Sequence, residues 1–348
     1  MRQVVIDKPG GFHRLRIQTT NDLDPPSGHV VVRTHAVGVN FADCLVRMGL
    51  YQSAKDFVGW PITPGFEFAG TVLSTGPNTS RFHTDQPVFG VSRFSAYASQ
   101  VSVPESQLFP IPDAFDMPQA ATFPVVFLTA YYALFHLANI HPPQNHHQPH
   151  ILVHSAAGGV GSALLQLASL APCRITGVVG HTAKVQTARS FGAHNVIDKS
   201  RENLWNGAQC YAPNGYDVVF DANGAETLEQ SYQHLASPGK LVVYGFHSML
   251  PRAKGKPSYP KLAFDYLRTP RFNPLDMTNH NKSVLAFNLS YLFHRQDFLQ
   301  DSMSQLLNWV RDGSIRSAPV QTFPFERVAD AHRAIESGNT VGKLALLL

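Results

Sequence analysis

The feature that most narrows the fold of this chain is a glycine-rich turn, Ser155-Ala156-Ala157-Gly158-Gly159-Val160-Gly161, between a strand-like run, HILVHS, and a helix-like run, GSALLQLASLA. A strand that feeds a helix through so few residues opens a β-α-β unit. The texture then repeats. RITGVV, NVID, YDVVFDAN and KLVVYGF read as strands, with AKVQTARSF and AETLEQSYQHLA as helices between them. This alternation predicts a doubly wound parallel sheet with helices on both faces.

In that context the turn has the layout of a dinucleotide fingerprint. Ala156 stands where a first glycine would be. Gly158 leaves room for a pyrophosphate against the backbone, and Gly161 permits close packing of helix on strand. The anion would rest on free N–H groups at the helix N-terminus, with Gly159 and Val160 of the turn among the expected contacts. Residues 117–197 contain no Asp or Glu, so the carboxylate that binds a ribose 2′-hydroxyl in NAD-preferring folds is missing after the second strand. That strand ends at Gly180-His181-Thr182, with Lys184 in the next turn and Lys199 after the third strand. Lysines attract a 2′-phosphate that a carboxylate would repel, so the expected cofactor is NADPH. Lys184 is also readable as a solvated lysine on a helix's first turn. Asn223, Gly245 and Phe246 end the fourth and fifth strands, where such sheets bind cofactors.

The 348 residues suggest two domains. Outside the Rossmann-like middle, VVIDK, LRIQT and HVVVRTHAVGV read as strands, and so do PVQTFP and KLALLL near the end. VLAFNLSYL reads as one more strand, over residues 284–292. We therefore expect a β-rich domain from residues 1–123 and 293–348, around a nucleotide domain at 124–292. The net charge of +4 is too small to argue for nucleic acid. Cys44, Cys173 and Cys210 lie too far apart for a disulfide framework or a four-thiolate zinc site, which fits a reducing, cytoplasmic setting. The N-terminus has no signal-peptide apolar core. Residues 117–140 are long and uncharged enough to cross a bilayer. However, Thr122, Thr129 and His136 recur every seven residues, so we read a buried helix with one polar edge facing a cavity and no integral membrane segment. His141, His146, His147 and His150 lack carboxylate or thiol partners and read as a surface linker, not a metal site. The basic stretch holding Lys254, Lys256, Lys261, Arg268 and Arg271 reads as a solvated loop, with contact to anionic lipid as the other reading.

VGVNFADCLVRMGLY, TPGFEFAGTV, FLTAYYAL, HSAAGGVGSALLQLA and KLVVYGF together resemble the medium-chain dehydrogenase/reductase superfamily, and within it the quinone oxidoreductase branch. The end of the chain, with SVLAFNLSYL, NWVRDGSI and PFERVADAHRAIESGNTVGKLAL, is similar to the vesicle-amine-transport-protein-like subgroup. The resemblance implies a GroES-like catalytic domain beside a Rossmann domain. Zinc members carry a cysteine where this chain has Asn40 and a histidine where it has Phe66, so the resemblance implies a zinc-free member with no metal ligands. Asp43 and Glu67 remain, as two isolated carboxylates.

Without a Lewis acid, hydride transfer suits an acceptor already activated by conjugation. The implied function is an NADPH-dependent reductase of quinones or other α,β-unsaturated carbonyls; the alternative is an NADPH-binding, membrane-associated or regulatory protein with little turnover. By the same resemblance Asn40 and Tyr51 lie beside the nicotinamide as catalytic donors, Thr129 contacts its amide and Lys343 lies near the cofactor. Each has a plainer reading: Asn40 as a turn residue, Tyr51 as loop packing, Thr129 bonded to a backbone carbonyl one turn back, Lys343 as an exposed strand lysine. The family habit implies a homodimer through the edge strand at 284–292.

Overall fold

β-branched and apolar residues dominate His29–Val39, the longest strand among the described residues, and eight of its eleven residues are buried. The computed structural model describes residues 1–141, 148–249 and 255–348; His146, His147 and Lys254 therefore lie outside the described residues. The chain forms two units. One comprises Met1–Leu128, Arg252–Lys256 and Leu289–Leu348, and the other Thr129–Pro251 and Pro257–Asn288.

The first unit is β-rich. Its sheet runs Val320–Pro324, Lys343–Leu347, His29–Val39, Glu67–Thr75, Pro87–Val91 and Leu108–Pro110, with Gln100–Pro104 also paired to His29–Val39. The C-terminal strand pairs antiparallel with His29–Val39, placing Leu344 opposite Val39. Val30, Val32, Val37, Phe68, Tyr97, Leu344 and Leu346 share its core. A buried polar chain crosses that core. Arg47 pairs with Glu336 at 2.5 Å and donates to the Gly255 carbonyl, while the Gly255 N–H returns to Glu336 at 3.2 Å. Gly255 has φ +65°, and a Cβ there would lie 2.3 Å from the Phe12 ring.

The second unit is a six-stranded parallel sheet, ordered Asn195–Asp198, Arg174–Val179, His150–Val153, Tyr216–Asp221, Leu235–Val243 and Lys282–Ala286. The order reverses beside His150–Val153, and the glycine-rich turn follows that strand. This is the switch point at which open α/β sheets bind ligands. Leu152, Val178, Ile197, Val219 and Leu241 form its core.

Three expectations need correction. Residues 117–140 are not one helix. Met117–Thr122 is capped by Asp116, which accepts from the Gln119 N–H; a second helix starts at Pro124, and Tyr132–Leu137 is a π-turn. The polar stripe dissolves with it: Thr122 bonds its own helix at the Pro118 carbonyl, and His136 is exposed and stacked on Tyr132. The strand expected at 284–292 is Lys282–Ala286, and Leu289–Tyr291 is a 3-10 turn whose Leu289 and Ser290 are buried. The basic stretch is not a loop, since Tyr259–Arg268 and Pro274–His280 are helices. Pro260 and Pro274 sit in their first turns, where a missing N–H costs nothing. Among the described residues no helix is long and apolar enough to cross a membrane.

The Arg47–Glu336 pair gives a direct test of the β-rich core. Breaking a buried pair strands a charge, so Arg47→Met should lower stability by about 3–5 kcal/mol. Arg47→Met/Glu336→Met should recover part of that loss. Urea unfolding of both variants checks it; a double variant no better than the single would show that the pair contributes only packing.

Candidate functional site

In the β-rich unit, Asn40 ends the long strand and opens the helix Phe41–Met48. Its side chain is 7% exposed, and its amide is fixed from both ends. Nδ2 donates to Glu67 Oε1 at 2.8 Å, and Oδ1 accepts from Lys343 Nζ at 2.6 Å. An ammonium can only donate, so the lysine dictates which end of the amide is the oxygen. Lys343 also donates to Glu67 Oε1 at 2.9 Å and to the Val39 carbonyl at 3.1 Å. Its three hydrogens thus have three acceptors within the unit. Lys343 is buried, so the exposed-lysine reading is overturned. The second Glu67 oxygen takes the Val125 N–H at 2.9 Å, just after the Pro124 break frees that amide from the preceding helix. Gly38 makes room: a Cβ there would stand 2.4 Å from Glu67 Oε1 and 2.5 Å from the Ala121 carbonyl.

Asp43 is fully buried and accepts from the Asn40 N–H at 2.8 Å, the Gly65 N–H at 2.9 Å and the Tyr97 hydroxyl at 3.1 Å. Burial nevertheless pushes its carboxyl up to about 7. Tyr51 caps the next short helix, half-buried, its ring edge-on to Phe66 at 5.7 Å and Phe94 at 6.4 Å. The adjacent residues Phe66 and Glu67 therefore touch Tyr51 and Asn40 respectively.

This donor set does not fit zinc. Phe66 lies in an aromatic cluster, Asn40 offers an amide, and Glu67 is neutralised by Lys343. Among the described residues Cys44, His332 and Glu336 come together at metal-ligand spacing. Arg47 already holds Glu336 and lies 3.4 Å from His332 Nδ1, so a cation occupies that cluster as part of the fold.

The second unit carries the residues expected to bind the dinucleotide. Gly158 caps the helix Gly159–Ala168, and its missing Cβ faces only the Ser155 carbonyl, at 3.2 Å. At Gly161 a Cβ would lie 2.3 Å from the same carbonyl and 2.8 Å from Ala156 Cα, so a side chain there would push the helix off the strand. The Ala156 N–H bonds the Val178 carbonyl. The first-turn amides of Gly159, Val160 and Gly161 have no acceptor within their helix and so suit an anion. Asn223 belongs with the turn, because its Oδ1 accepts from Ser155 Oγ at 3.2 Å. Gly245 lies against the Ala222 carbonyl, and Phe246, 44% exposed, packs on Gly224. Thr129 is buried in the helix Pro124–Tyr131.

At the second strand's end, Gly180 has open space where a Cβ would be, and Lys184 ends the turn Thr182–Lys184. The Lys199 N–H bonds the Val179 carbonyl. Two residues here were not anticipated. Asp198 Oδ2 accepts from Thr182 Oγ1 at 2.6 Å, and the exposed Arg201 donates Nε to that same Thr182 oxygen at 3.0 Å. Asp221 was missed too. Fully buried, it holds the Asn223 and Gly224 N–H groups and the Thr227 and Ser231 hydroxyls. The carboxylate before Asn-Gly at a strand end was the available signal.

Comparison with known proteins decides the family. Residues 26–113 match the alcohol dehydrogenase GroES-like domain and residues 191–346 match the zinc-binding dehydrogenase domain. The synaptic vesicle membrane protein VAT-1 homolog of Rattus norvegicus is 30% identical over the whole chain and 84% of its own length. The chain belongs to the medium-chain dehydrogenase/reductase superfamily. Its relatives there are VAT-1-like proteins and quinone oxidoreductases. The Escherichia coli quinone oxidoreductase, solved in complex with NADPH, superposes with TM-score 0.84 at 25% identity, covering all of both chains. The CurK enoyl reductase superposes with TM-score 0.82 at 26% identity, covering 99% of this chain and 98% of the other. The GroES-like and Rossmann architecture expected from the sequence is therefore the fold of this chain.

Asp43 predicts a pH dependence. Its carboxyl holds a proton more tightly when folded than when unfolded, so it adds stability below about pH 4 that is lost as pH rises through about 7. Asp43→Asn should flatten the fall in unfolding free energy between those values. Urea titrations at pH 5 and pH 8 read this directly; a wild-type chain that gains more stability than the variant over that span would show that the three donors outweigh burial.

Proposed function

We propose that this chain is a zinc-independent reductase that uses NADPH to reduce quinones or other α,β-unsaturated carbonyls. The observation that carries the reading is Asn40, oriented by a buried ion pair at the position where zinc members place a ligand. Bound NADPH supplies the hydride. Gly158, Gly159, Val160 and Gly161 would hold its pyrophosphate on the helix N-terminus. Asn223, Gly245 and Phe246 would border it at the strand ends, and Thr129 would contact its amide. Gly180, Lys184, Lys199 and Arg201 would border its 2′-phosphate.

The chain's own residues then need only receive charge on an acceptor already polarised by conjugation. With Oδ1 turned to Lys343 and one N–H on Glu67, the second Asn40 amide hydrogen has no acceptor among the described residues. It is the proposed donor to the carbonyl oxygen as negative charge develops. Tyr51, held against Phe66, is the proposed second donor, with water or its hydroxyl as source of the final proton. Support comes from relatives named as quinone oxidoreductases and an enoyl reductase. The names of the VAT-1 relatives, synaptic vesicle membrane proteins, support the membrane-associated form of the other reading, an NADPH-binding protein with little turnover. A homodimer through the open edge of Lys282–Ala286 belongs to the same proposal, and a monodisperse monomer by light scattering would remove it.

NADPH consumption across a panel of quinones and enals is the deciding experiment. Asn40→Ala should lower kcat about a hundredfold with the KM for NADPH unchanged. Lys343→Met should act in the same direction, with partial rescue by Lys343→Arg. Tight NADPH binding without turnover on any acceptor would hand the case to the binding-protein reading. For the cofactor, Lys184→Ala and Arg201→Ala should each reduce the preference for NADPH over NADH by about tenfold or more. Unchanged preference in both variants would refute the 2′-phosphate assignment.

A further inference from the structure

Arg93 follows the strand Pro87–Val91, and the loop that carries it is fixed without help from its side chain. The Ser92 N–H bonds the Phe66 carbonyl at 2.9 Å, the Ser92 hydroxyl bonds the Phe94 carbonyl, and the Ser95 N–H bonds the Thr63 carbonyl at 2.9 Å. Phe94 and Ser95 are held at φ +74° and +67°, a conformation that bulky side chains adopt only under constraint. The Phe94 ring turns to Tyr51 and Phe66, at 6.4 and 5.2 Å. The Arg93 guanidinium turns elsewhere, lying over the Phe57 ring at 4.0 Å with Phe293 at 6.0 Å. Its Nε donates to the Ser290 carbonyl at 3.0 Å.

These partners are themselves tied together. Ser290 Oγ donates to Ser53 Oγ at 2.8 Å, and the Tyr291 hydroxyl donates to Asp56 Oδ2 at 2.6 Å. The rings of Phe57 and Tyr291 lie 5.5 Å apart. The turn Leu289–Tyr291 is thus fastened along the helix Gln52–Phe57, which Tyr51 caps and Phe57 ends.

What Arg93 lacks is an anion. A guanidinium has five donor hydrogens, yet among the described residues no acceptor takes either Nη group of Arg93. Asp56, the acid of the facing helix, is engaged by Tyr291 and by Gln52 Nε2 at 2.7 Å. Burial pushes the half-buried Arg93 below its ordinary value, and no carboxylate acts against that shift. Cations drawn out of water normally find a partner. A solvated arginine keeps its rotamer freedom, whereas here a ring and a carbonyl fix the guanidinium plane. The Nη pair is left as a fork that matches a carboxylate or phosphate. Beside it Phe57 and Val58 are 45% and 55% exposed, an apolar surface bordering a cation. From Tyr51 to Phe57 the helix advances about 9 Å, so one small molecule can span the tyrosine and the fork.

We propose that Arg93 sets acceptor specificity, its Nη pair taking the carboxylate or phosphate of a conjugated acceptor whose apolar body lies along Phe57 and Val58. This rests on the reductase reading and narrows it to acceptors with an anionic group remote from the reducible carbonyl.

Three naphthoquinones with the same side chain, ending in a carboxylate, its methyl ester or a phosphate monoester, separate charge from shape. With NADPH, the full chain should give one or both anions a kcat/KM at least about tenfold above that of the ester, carried by KM. The larger gain identifies which anion the site is built for. Arg93→Gln should lower kcat/KM for that anion about tenfold more than for the ester, with partial recovery in Arg93→Lys. Calorimetric titration of the same compounds into the NADPH-bound chain separates this inference from the reductase reading. Without turnover, anions that bind more tightly than the ester only when Arg93 is present would uphold the site while the reductase reading fails. Equal affinity and kcat/KM for anions and ester, a preference that survives Arg93→Gln, or a loss shared equally by the ester would overturn the proposal.

Discussion

The β-rich unit depends on a charge pair closed across almost the whole chain. Glu67 and Lys343 lie 276 positions apart and meet at 2.9 Å in the interior. Two ions there are tolerable only if their remaining hydrogen-bonding capacity is met. It is met by two further segments: the Val39 carbonyl and the Asn40 amide at the end of the long strand, and the Val125 N–H behind Pro124. Gly38 has no Cβ because the glutamate fills that space. Each of these features looks local in the sequence, yet all of them answer to one buried carboxylate.

On the proposed reading, that arrangement also takes the place of a metal. A zinc ion would bring its own positive charge to a carbonyl oxygen. Here the fixed positive charge is the Lys343 ammonium, held away from solvent and directed into Glu67 and Asn40 rather than outward. Its effect passes through the orientation of one amide. Such a site can complement modest charge on a conjugated acceptor, and it offers little to a simple alcohol, whose oxygen needs direct polarisation.

The nucleotide unit was legible because its signals are local. Glycine spacing, a strand of β-branched residues and a helix start all lie within one β-α unit, and Gly161 and Asn223 stand where that pattern requires. Prolines misled where they open helices: Pro260 and Pro274 look like breakers but occupy first turns, and the exposed apolar face of Tyr259–Arg268 was hidden inside what read as a loop. The seven-residue recurrence of Thr122, Thr129 and His136 carried no meaning once Pro124 divided the helix. The Glu67–Lys343 pair and the Arg47–Glu336–Gly255 knot were invisible for a different reason. Nothing within a few residues of either partner marks a contact some three hundred positions away.

The end of the second parallel strand shows why composition alone is a poor guide to cofactor charge. Counting residues through 197 finds no acid, yet Asp198 follows at once and reaches back to Thr182. Taken by itself it would repel a 2′-phosphate. Its oxygens are already occupied, Oδ2 by the Thr182 hydroxyl and Oδ1 by the N–H and hydroxyl of Ser200. Arg201 meets the same threonine from the other side. The carboxylate therefore shapes the turn that carries Lys184 and offsets only part of the charge of Lys184, Lys199 and Arg201. A second acid, Glu202, accepts the Asp198 N–H at 3.3 Å, so the local balance is three cations, Lys184, Lys199 and Arg201, against two carboxylates, and stays positive.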